Sequence, residues 1–483
     1  MAVCAMAMVT VNVMATDYTD SLIVKVNGVA SEQSATVSVT EQGGKYEFVL
    51  KNFTLMSGGQ AMGIGTIDIK DIPSVDAGGG ITLLQTSGSI QIAKGEGDTP
   101  SGVWVGPGLG DVPIDFTATI NGDKVYASIA ITMAMLGQTI DVTFGSGYQL
   151  PNSGFELFHK EGNIDEPNSW HSFASSTGTW SSIVKGMAPH TFVSNLVRPG
   201  SAGSHSVLVT SSSVIGIVAN GTITTGRMNA GSFNATDPAN HAQMDMSLTE
   251  KDSNGDPFYA AMVGRPDSLA LWVKFKQGTP NTTYPYATVS AAITDGTYYQ
   301  DPKGDNTYKN VLASAQNKTI VSKDFKWQRI AIPFSYVDDN IQGKAVLITI
   351  STNATPGQGS GTDSLYVDDI EFVYNGGIES YIINGETVNV TPTGKGALVL
   401  TDYTTDDKGT KWANVTVYSQ DLKKKVTQVI DVTSAGINAV NTTASSSAAD
   451  GIYTLSGQRT TVMRPGQVYI VKQNGKTIKV VKR

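Results

Sequence analysis

The chain has 483 residues, and its 34 Lys and Arg against 42 Asp and Glu give a formal charge of −8, so no basic field is expected to attract nucleic acid or an anionic membrane. It contains 51 Gly, 18 Pro and one Cys, and 16% of its residues are charged, against about 25% in an average soluble protein. The length suits roughly two to four domains with hydrophobic cores. The single Cys excludes a disulfide scaffold. The low fraction of charged residues and the abundant Gly favour an all-β extracytoplasmic protein over a helical bundle.

The first 15 residues have the features of a secretory signal. Residues 1–15 carry no charge and are apolar or small apart from one Thr and one Asn, and the chain becomes polar at Asp17–Asp20. Val13 and Ala15 would occupy the −3 and −1 positions of a cleavage site before Thr16. The segment is shorter than the about 20 residues that a membrane-spanning helix needs, so no transmembrane helix is predicted. We expect a protein that is secreted, held at the outer-membrane surface or left in the periplasm; the alternative is that this segment forms a first β-strand.

Strand patterns fill residues 16–149. Short runs alternate between apolar and polar residues or are rich in β-branched residues, and turn signals such as Asn27-Gly28 and Asn121-Gly122-Asp123 separate them. The runs are Ser21–Val29, Ala35–Thr40, Tyr46–Leu50, Gly65–Lys70, Ile81–Leu84, Ser89–Ala93, Ile114–Ile120, Lys124–Ile131 and Thr139–Phe144. Eight or nine antiparallel strands predict an up-and-down barrel, because closure leaves no exposed strand edge.

This pattern resembles the calycin-like β-barrel domains of secreted Bacteroidetes proteins. It differs from ordinary lipocalins, which carry Gly-x-Trp in the first strand, because the triplet Gly102-Val103-Trp104 lies in a mid-domain loop. The resemblance implies a lipocalin-like antiparallel barrel. Carriage of an apolar ligand inside that barrel is an alternative function.

Several motifs distinguish residues 150–375. The segment opens with Gly154-Phe155-Glu156 followed by Trp170, continues with Arg265-Pro266-Asp267-Ser268-Leu269, and closes with Leu365-Tyr366-Val367-Asp368-Asp369-Ile370. Strands joined by long connections rich in Gly, Ser and Asn predict a jelly-roll β-sandwich. Together the motifs resemble the carbohydrate-metabolism domain of Bacteroidetes surface proteins, which is similar in outline to carbohydrate-binding jelly rolls. The resemblance implies a glycan or polysaccharide partner.

The C-terminal region predicts a small module and a tail. Residues 376–440 predict a short immunoglobulin-like β module, 441–449 form a polar linker of small residues, and 450–483 form a hairpin tail. The tail carries Tyr453-Thr454-Leu455-Ser456-Gly457-Gln458-Arg459 and Gly466-Gln467-Val468-Tyr469-Ile470-Val471. These strands are similar to the sorting domains recognised by the type IX secretion system, which implies that secretion machinery is a partner. The alternative is an ordinary terminal hairpin.

The sequence gives little support for catalysis. Glycoside hydrolysis needs two carboxylates about 5–10 Å apart across a cleft, whereas the members of Asp338-Asp339 and of Asp368-Asp369 would face opposite sides of a strand. No nucleophile or phosphate-binding motif occurs. Five histidines lie at no metal-ligand spacing: His159, His171, His190, His205 and His241. We predict a non-catalytic protein, with a structural or adhesion protein and a glycoside hydrolase as alternatives.

Two carboxylates are the candidate metal ligands. Glu156 lies near the first strand of the sandwich and Asp369 near the last, and these strands commonly pair in a jelly roll. Carboxylate and carbonyl oxygens are calcium ligands, so a structural calcium ion is predicted there; the alternative is a surface carboxylate pair. Asp252–Asp256 offers alternate oxygen ligands like half a calcium loop, but a hairpin turn is favoured because the pattern of an EF-hand is incomplete.

Loop aromatics are the candidate sugar-binding residues. A sugar ring needs an exposed aromatic face together with amide and carboxylate groups for its hydroxyls. Trp170 and Trp180 stand in Ser/Gly-rich connections, and five Tyr cluster in a region rich in Thr, Asn, Asp and Gly near Asp301, Asp305 and Asn306. The candidates are Trp180, Tyr284, Tyr286, Tyr298, Tyr299 and Tyr308. The alternative is that the tyrosines pack a long loop onto the sandwich.

Overall fold

Strands account for almost all of the regular structure, as the sequence predicts. The computed structural model describes residues 15–27, 29–57, 60–99, 102–133, 137–187, 190–201, 203–432, 451–454, 459–464, 468–473 and 476–481. The expected signal up to residue 14 and the linker 441–449 lie outside these ranges. Within them, no helix has both the length and the apolar character that a membrane crossing requires. The described residues divide into a first unit, which ends at Tyr374 and also includes Gln420–Lys423, and a second unit made of the rest from Asn375 onward.

The first unit begins with the predicted antiparallel barrel. Its eight strands are β1 Ala15–Val26, β2 Val29–Gln42, β3 Lys45–Ser57, β4 Gln60–Asp76, β5 Ile81–Gln91, β6 Asp111–Asn121, β7 Lys124–Met133 and β8 Gln138–Phe144. They pair in chain order, and β1 also pairs with β8. This pairing, through Leu22–Val26 of β1, closes the sheet into a barrel.

Apolar side chains fill the interior of the barrel. In β1, Leu22 and Val24 are buried while Lys25 is exposed, because successive residues of a strand face opposite sides. Phe48 and Phe116 are each 1% exposed, and their ring centroids lie 5.0 Å apart. All eight strands contribute to this single core. The packed interior gives no support to the alternative that the barrel carries an apolar ligand.

Two sheets form a sandwich after the barrel, as predicted. Its elements are β9 Phe158–Glu161, β10 Ile164–Pro167, α1 Ser181–Met187, β11 Thr191–Ser194, β12 Ser206–Thr210, β13 Ser212–Val214, β14 Ile217–Ala219, β15 Thr222–Thr224, β16 Arg227–Ala230, β17 Asn240–Met244, β18 Ala260–Ala261, β19 Ser268–Lys276, β20 Ala287–Thr294, β21 Tyr299–Asp301, β22 Val311–Ile320, β23 Gln328–Pro333, β24 Ser335–Tyr336, β25 Ala345–Ser351 and β26 Ser364–Val373. One sheet has the order β11-β12-β26-β19-β23. The six-stranded sheet has the order β15-β25-β20-β22-β24, with β18 beside β25.

The sandwich core lies between these sheets. Val207 and Leu271 from the five-stranded sheet meet Val289 and Ile348 from the six-stranded sheet. Trp170 is fully buried in the same core. These apolar residues occupy alternate strand positions, so the residues between them face away from the core.

A third sheet covers part of the outer face of the six-stranded sheet. It has the order β16-β17-β21. Met228, Ala242 and Met244 of this small sheet pack against Ala292 and Leu347 of the six-stranded sheet.

The second unit consists of short strands. They are β27 Ile378–Asn384, β28 Thr387–Pro392, β29 Leu398–Thr405, β30 Lys411–Tyr418, β31 Lys425–Asp431, β32 Gly451–Thr454, β33 Arg459–Thr460, β34 Val468–Gln473 and β35 Lys476–Val481. The sheets β27-β28 and β29-β30-β31 share one core that includes Val388, Val415 and Ile430, which fits the small β module predicted from the sequence. The tail forms the sheet β33-β32-β34-β35, so the predicted hairpin is extended by two further strands.

Candidate functional site

A cleft opens on the outer face of the six-stranded sheet, beside the β16-β17-β21 sheet. Its volume is about 340 Å³. Strands β15, β20, β22 and β25 contribute the floor, while α1, the β13–β14 hairpin and the β16-β17-β21 sheet contribute walls. This cleft is the candidate functional site because it combines aromatic walls with a polar floor.

Polar side chains form cross-strand rows on the floor. Thr349 of β25 lies opposite Ser290 of β20, and Ser290 lies opposite Gln316 of β22. A second row pairs Ser351 with Thr288. The alternate residues of these strands enter the sandwich core, which leaves hydroxyl and amide groups on the cleft side.

Two of the floor hydroxyls differ in their hydrogen bonding. Ser290 Oγ donates a hydrogen bond to Asp301 Oδ2. Thr349 Oγ1 is buried and has no hydrogen-bond partner within the described part of the chain. A buried hydroxyl without a partner costs about 1–3 kcal/mol. Thr349 lines the cleft, and its hydroxyl, unpaired within the described residues, reaches a ligand there once rotation about χ1 turns Oγ1 toward the cleft.

Trp180 forms one aromatic wall with Phe233, and their ring centroids lie 5.1 Å apart. The backbone N–H of Trp180 donates to the carbonyl oxygen of Ala230, at 2.9 Å, which ties the loop before α1 to strand β16. Gly178 permits this close approach: its φ is +100°, and a Cβ there would lie 2.7 Å from the Ala230 oxygen. The backbone thus holds the indole at the edge of the cleft.

Phe173 lines another part of the wall, and His190 supports it from behind. Their ring centroids lie 4.9 Å apart, and His190 is 1% exposed. Ser172 precedes the short 3-10 turn that contains Phe173, and its hydroxyl accepts a hydrogen bond from the N–H of Ala174. Burial lowers the pKa of His190 to about 4, although its hydrogen bond to the Thr210 carbonyl acts in the opposite direction. His190 is therefore neutral at physiological pH.

Few charged groups line the cleft. Among the described lining residues, Asp301 is the one carboxylate and Lys318 the one ammonium group. His241 adds an imidazole whose Nδ1–H donates to the carbonyl of Pro238 at 2.8 Å. The cleft can therefore form hydrogen bonds, but it does not contain the paired carboxylates of a glycosidase.

The predicted sugar-binding residues lie in different parts of the structure. Trp180 lines the cleft, whereas the five predicted tyrosines do not. Tyr284 and Tyr286 lie in the connection before β20, where their carbonyl oxygens accept hydrogen bonds from Asn353 Nδ2 and the Ala354 N–H. They support the loop after β25, part of which lines the cleft.

Tyr298, Tyr299 and Tyr308 form a separate group beside β21. Tyr298 is 39% exposed and its hydroxyl donates to Gln300 Oε1 at 2.9 Å. Tyr299, the first residue of β21, is only 4% exposed and packs between the small sheet and the six-stranded sheet, so the prediction that it offers a ring face to a sugar is wrong. Tyr308 is half-buried, with its ring centroid 4.8 Å from that of Tyr299. The side chain of Tyr299 therefore contributes to packing between the sheets.

Sequence reasoning missed most of the floor and part of the wall. Thr288 and Ser290 could have been found, because the strand Ala-Thr-Val-Ser at 287–290 alternates apolar and hydroxyl residues. Phe173 and Phe233 carry no local signal that distinguishes them from core aromatics. The cleft thus depends on residues that become neighbours only through the sheet order.

The predicted metal ligands Glu156 and Asp369 both have protein partners. Glu156 accepts hydrogen bonds from the backbone N–H groups of Ser204 and His205, at 3.0–3.1 Å. Asp369 Oδ2 lies 2.5 Å from Arg198 Nε in an ion pair. Calcium at these residues stays a prediction, and an ion bound there would have to compete with Arg198.

Comparison with known proteins identifies the barrel. Residues 14–146, about a quarter of the chain, match the model of the Calycin-like beta-barrel domain, so this part of the protein is a calycin-like barrel. No curated protein matches the chain at a significant level.

Two solved structures show remote similarity. The N-terminal CBM22-1-CBM22-2 tandem domain of Xyn10C from Paenibacillus barcinonensis aligns at 10% identity over 76% of this chain and 99% of its own, with a TM-score of 0.21. The mosquito-larvicidal Cry4Aa toxin from Bacillus thuringiensis aligns at 8% identity over 74% of this chain and 52% of its own, with a TM-score of 0.17. At these TM-scores neither similarity establishes a shared fold or function.

Proposed function

We propose that this protein is a non-catalytic glycan-recognition protein whose ligand binds in the cleft of the sandwich. The observation that carries the proposal is the juxtaposition of an aromatic wall, containing Trp180, with a floor of hydroxyl and amide side chains. An aromatic face accepts the C–H side of a sugar ring, and the polar groups bind its hydroxyls. The sequence resemblance of residues 150–375 to carbohydrate-binding jelly rolls supports the same ligand class.

The binding mode follows from the cleft. A sugar ring stacks on Trp180, and its hydroxyls bind the row formed by Thr349, Ser290 and Gln316. Thr349 Oγ1 gains a partner that it lacks within the described protein. A single site of this size binds weakly, so many copies on a surface would raise the avidity for a polysaccharide.

The carboxylate content supports a role without catalysis. Asp301 already accepts a hydrogen bond from Ser290, and a glycosidase would need a second carboxylate about 5–10 Å away. No second carboxylate occurs among the described lining residues. Release of reducing ends from polysaccharides would establish the hydrolase alternative instead.

Binding of an apolar small molecule in the same cleft is a second candidate function. Ile183 and Val184 of α1, together with Val214 and Ile217 of the β13–β14 hairpin, give the walls an aliphatic character. An apolar ligand would use these walls and leave the floor hydroxyls unused. The two candidates therefore differ in their dependence on Thr349.

Binding measurements on cleft variants test the proposal. We expect a glycan array to identify a ligand and titration calorimetry to show that Trp180→Ala weakens it roughly tenfold, about 1.4 kcal/mol. Tyr286→Ala is the matched control, because Tyr286 is an exposed aromatic residue that does not line the cleft. Thr349→Val should weaken a glycan but not an apolar ligand. Failure to bind any glycan at high protein concentration would refute the proposal.

We further propose a location outside the cell or at the cell surface of a Bacteroidetes-type bacterium. The apolar segment 1–15 and the resemblance of 450–483 to sorting domains support export, with the secretion machinery as the partner of the tail. Deletion of residues 450–483 should leave the protein in the periplasm. If the variant without residues 450–483 still reaches the surface, the tail is an ordinary terminal hairpin. If the protein lies at the surface but binds no glycan, the structural or adhesion role is supported.

A further inference from the structure

A polar cluster lies where the β9–β10 hairpin meets the turn at 252–256, and none of its residues lines the cleft. It contains His159 of β9, His171 beyond β10, and Asp252 and Asp256 of the turn. Asp252 Oδ2 lies 3.4 Å from His159 Nε2 and 3.3 Å from His171 Nε2. The structure thus joins residues that show no metal-binding spacing in the sequence.

The atoms of His159, His171 and Asp252 that face one another are buried, although other atoms of the cluster are hydrogen-bonded, such as Asp256 Oδ2, which accepts from the N–H of Ser169. The side chains of His171 and Asp252 are 0% exposed, and that of His159 is 8% exposed. Within the described residues no well-directed hydrogen bond reaches His159 Nε2, His171 Nε2 or Asp252 Oδ2, and Asp252 Oδ2 has only its polar contacts of 3.3 and 3.4 Å with the two imidazoles. Buried polar atoms are nearly always paired, so this group lacks a component that the folded protein can accommodate.

The tautomer of His159 indicates which kind of component would fit between the imidazole of His159 and the carboxylate of Asp252. Its Nδ1 lies 3.1 Å from Asn168 Oδ1, a carbonyl oxygen that can only accept, so Nδ1 carries the hydrogen. A neutral ring then directs the lone pair of Nε2 toward Asp252 Oδ2, and two acceptors face each other. A positively charged species between them removes this repulsion. The hydrogen bond to Asn168 also resembles the outer contact that orients a metal-bound histidine.

The turn is organised so that one oxygen of Asp252 remains free. Asp252 Oδ1 accepts hydrogen bonds from the backbone N–H groups of Asn254 and Asp256, at 2.9 and 2.8 Å. Ser253 fastens the turn to the hairpin, because its Oγ donates to the carbonyl of Lys160 at 2.8 Å. One potential ligand atom from each of His159, Asp252 and Asp256 lies within 4.8 Å of the others.

We propose that His159, Asp252 and Asp256 bind a divalent transition-metal ion, with Zn²⁺ as the ion best matched to the ligands. Imidazole nitrogen with carboxylate oxygen suits zinc, whereas calcium prefers oxygen ligands alone. Ligands about 2.1 Å from a tetrahedral zinc lie about 3.4 Å apart, which is the observed separation of His159 Nε2 and Asp252 Oδ2. Two carboxylates and a neutral imidazole also balance the charge of the ion. His171 positions Asp252 from the other side.

The ion would link two segments that are distant in sequence. His159 lies in the β9–β10 hairpin, and Asp252 lies in a turn more than 80 residues later. Binding to the folded state alone stabilises it by mass action, so zinc should raise the melting temperature. The inference does not depend on the proposed glycan binding, and its test needs no glycan.

The test uses the full chain after dialysis against EDTA and removal of the chelator. We expect one zinc ion per chain by elemental analysis after zinc addition and gel filtration, with a rise in melting temperature on the order of 5 °C. His159→Gln should abolish the stoichiometric binding and the rise, whereas His205→Gln, at a half-exposed histidine outside the cluster, should retain both.

A second variant, Asp252→Asn, and a second ion, Co²⁺, provide two further tests of the zinc site. Asp252→Asn keeps the size of the side chain and should weaken zinc binding at least tenfold, as judged by competition with a zinc-binding dye. Co²⁺ should replace zinc and give the intense visible absorption of a tetrahedral site. The proposal is overturned if the chain retains no zinc, or if His159→Gln binds zinc as tightly as the unsubstituted chain.

Discussion

Acid should destabilise the sandwich through His190, which supports the aromatic wall of the cleft. His190 is 1% exposed, and its Nδ1–H donates to the Thr210 carbonyl at 2.9 Å. Its Nε2 has no hydrogen-bond partner among the described residues. Burial lowers its pKa to about 4, so the folded protein keeps this ring neutral where an exposed histidine would already be charged.

The sign and the size of the effect follow from proton linkage. An unfolded histidine has a pKa of about 6.5, so between this value and about 4 the unfolded chain binds a proton that the folded chain does not. The contribution of His190 to stability is therefore complete above pH 6.5 and is lost as the pH falls toward 4. From pH 7 to pH 4 the loss in free energy of unfolding is about 3 kcal/mol for this residue.

His190→Asn isolates this contribution. The Asn amide can still donate to the Thr210 carbonyl, but it does not titrate. Calorimetric melting at a series of pH values from 7 to 4 should show that the unsubstituted chain loses on the order of 5 °C more than the variant. His205→Asn, at a half-exposed histidine, should retain the pH dependence of the unsubstituted chain. Parallel pH profiles for the unsubstituted chain and His190→Asn would refute the reasoning.

Three further outcomes are expected. Thr349→Val should leave the melting temperature unchanged or slightly higher, because the hydroxyl has no partner among the described residues. Titration calorimetry should show weaker glycan binding by this variant. An unchanged affinity would exclude Thr349 from the site. Phe116→Ala should cost about 3–5 kcal/mol in equilibrium unfolding, because the ring is 1% exposed inside the barrel, and a cost below about 1 kcal/mol would contradict a packed interior. If Glu156 and Asp369 hold calcium, EGTA should lower the melting temperature and added calcium, but not zinc, should restore it; an unchanged value would count against that ion.

The barrel could be predicted because its evidence is local. Residues such as Leu22 and Val24 recur every second position, and turn signals such as Asn121-Gly122 separate successive strands that pair with each other. The same alternation sets which side chains enter the core. Closure then follows from the need to remove edges, without information on distant residues.

The cleft could not be predicted in the same way, because its strands are not neighbours in sequence. Thr349 faces Ser290 only because β25 lies next to β20, and β25 also pairs with Thr222–Thr224 far upstream. Composition alone favoured the aromatic loops, where Trp180 lines the cleft and Tyr299 is buried. Exposure of a loop aromatic depends on what packs against it, which the loop sequence does not record.

The histidine cluster illustrates the same limit for metal sites. Motif searches detect ligands a few residues apart on one element. His159 lies in β9, His171 follows β10, and Asp252 lies in a distant turn. The partial pattern of oxygen ligands at Asp252–Asp256 was visible, but the histidine that joins it, His159, comes from another part of the chain.

One segment connects this cluster with the cleft. His171 exchanges two backbone hydrogen bonds with Thr224 at the edge of the six-stranded sheet, at 2.7 and 2.9 Å. Thr177 then exchanges backbone hydrogen bonds with β16, and the Trp180 N–H donates to the Ala230 carbonyl. The chain that begins beside Asp252 therefore ends at the aromatic wall, tied to sheets at both ends.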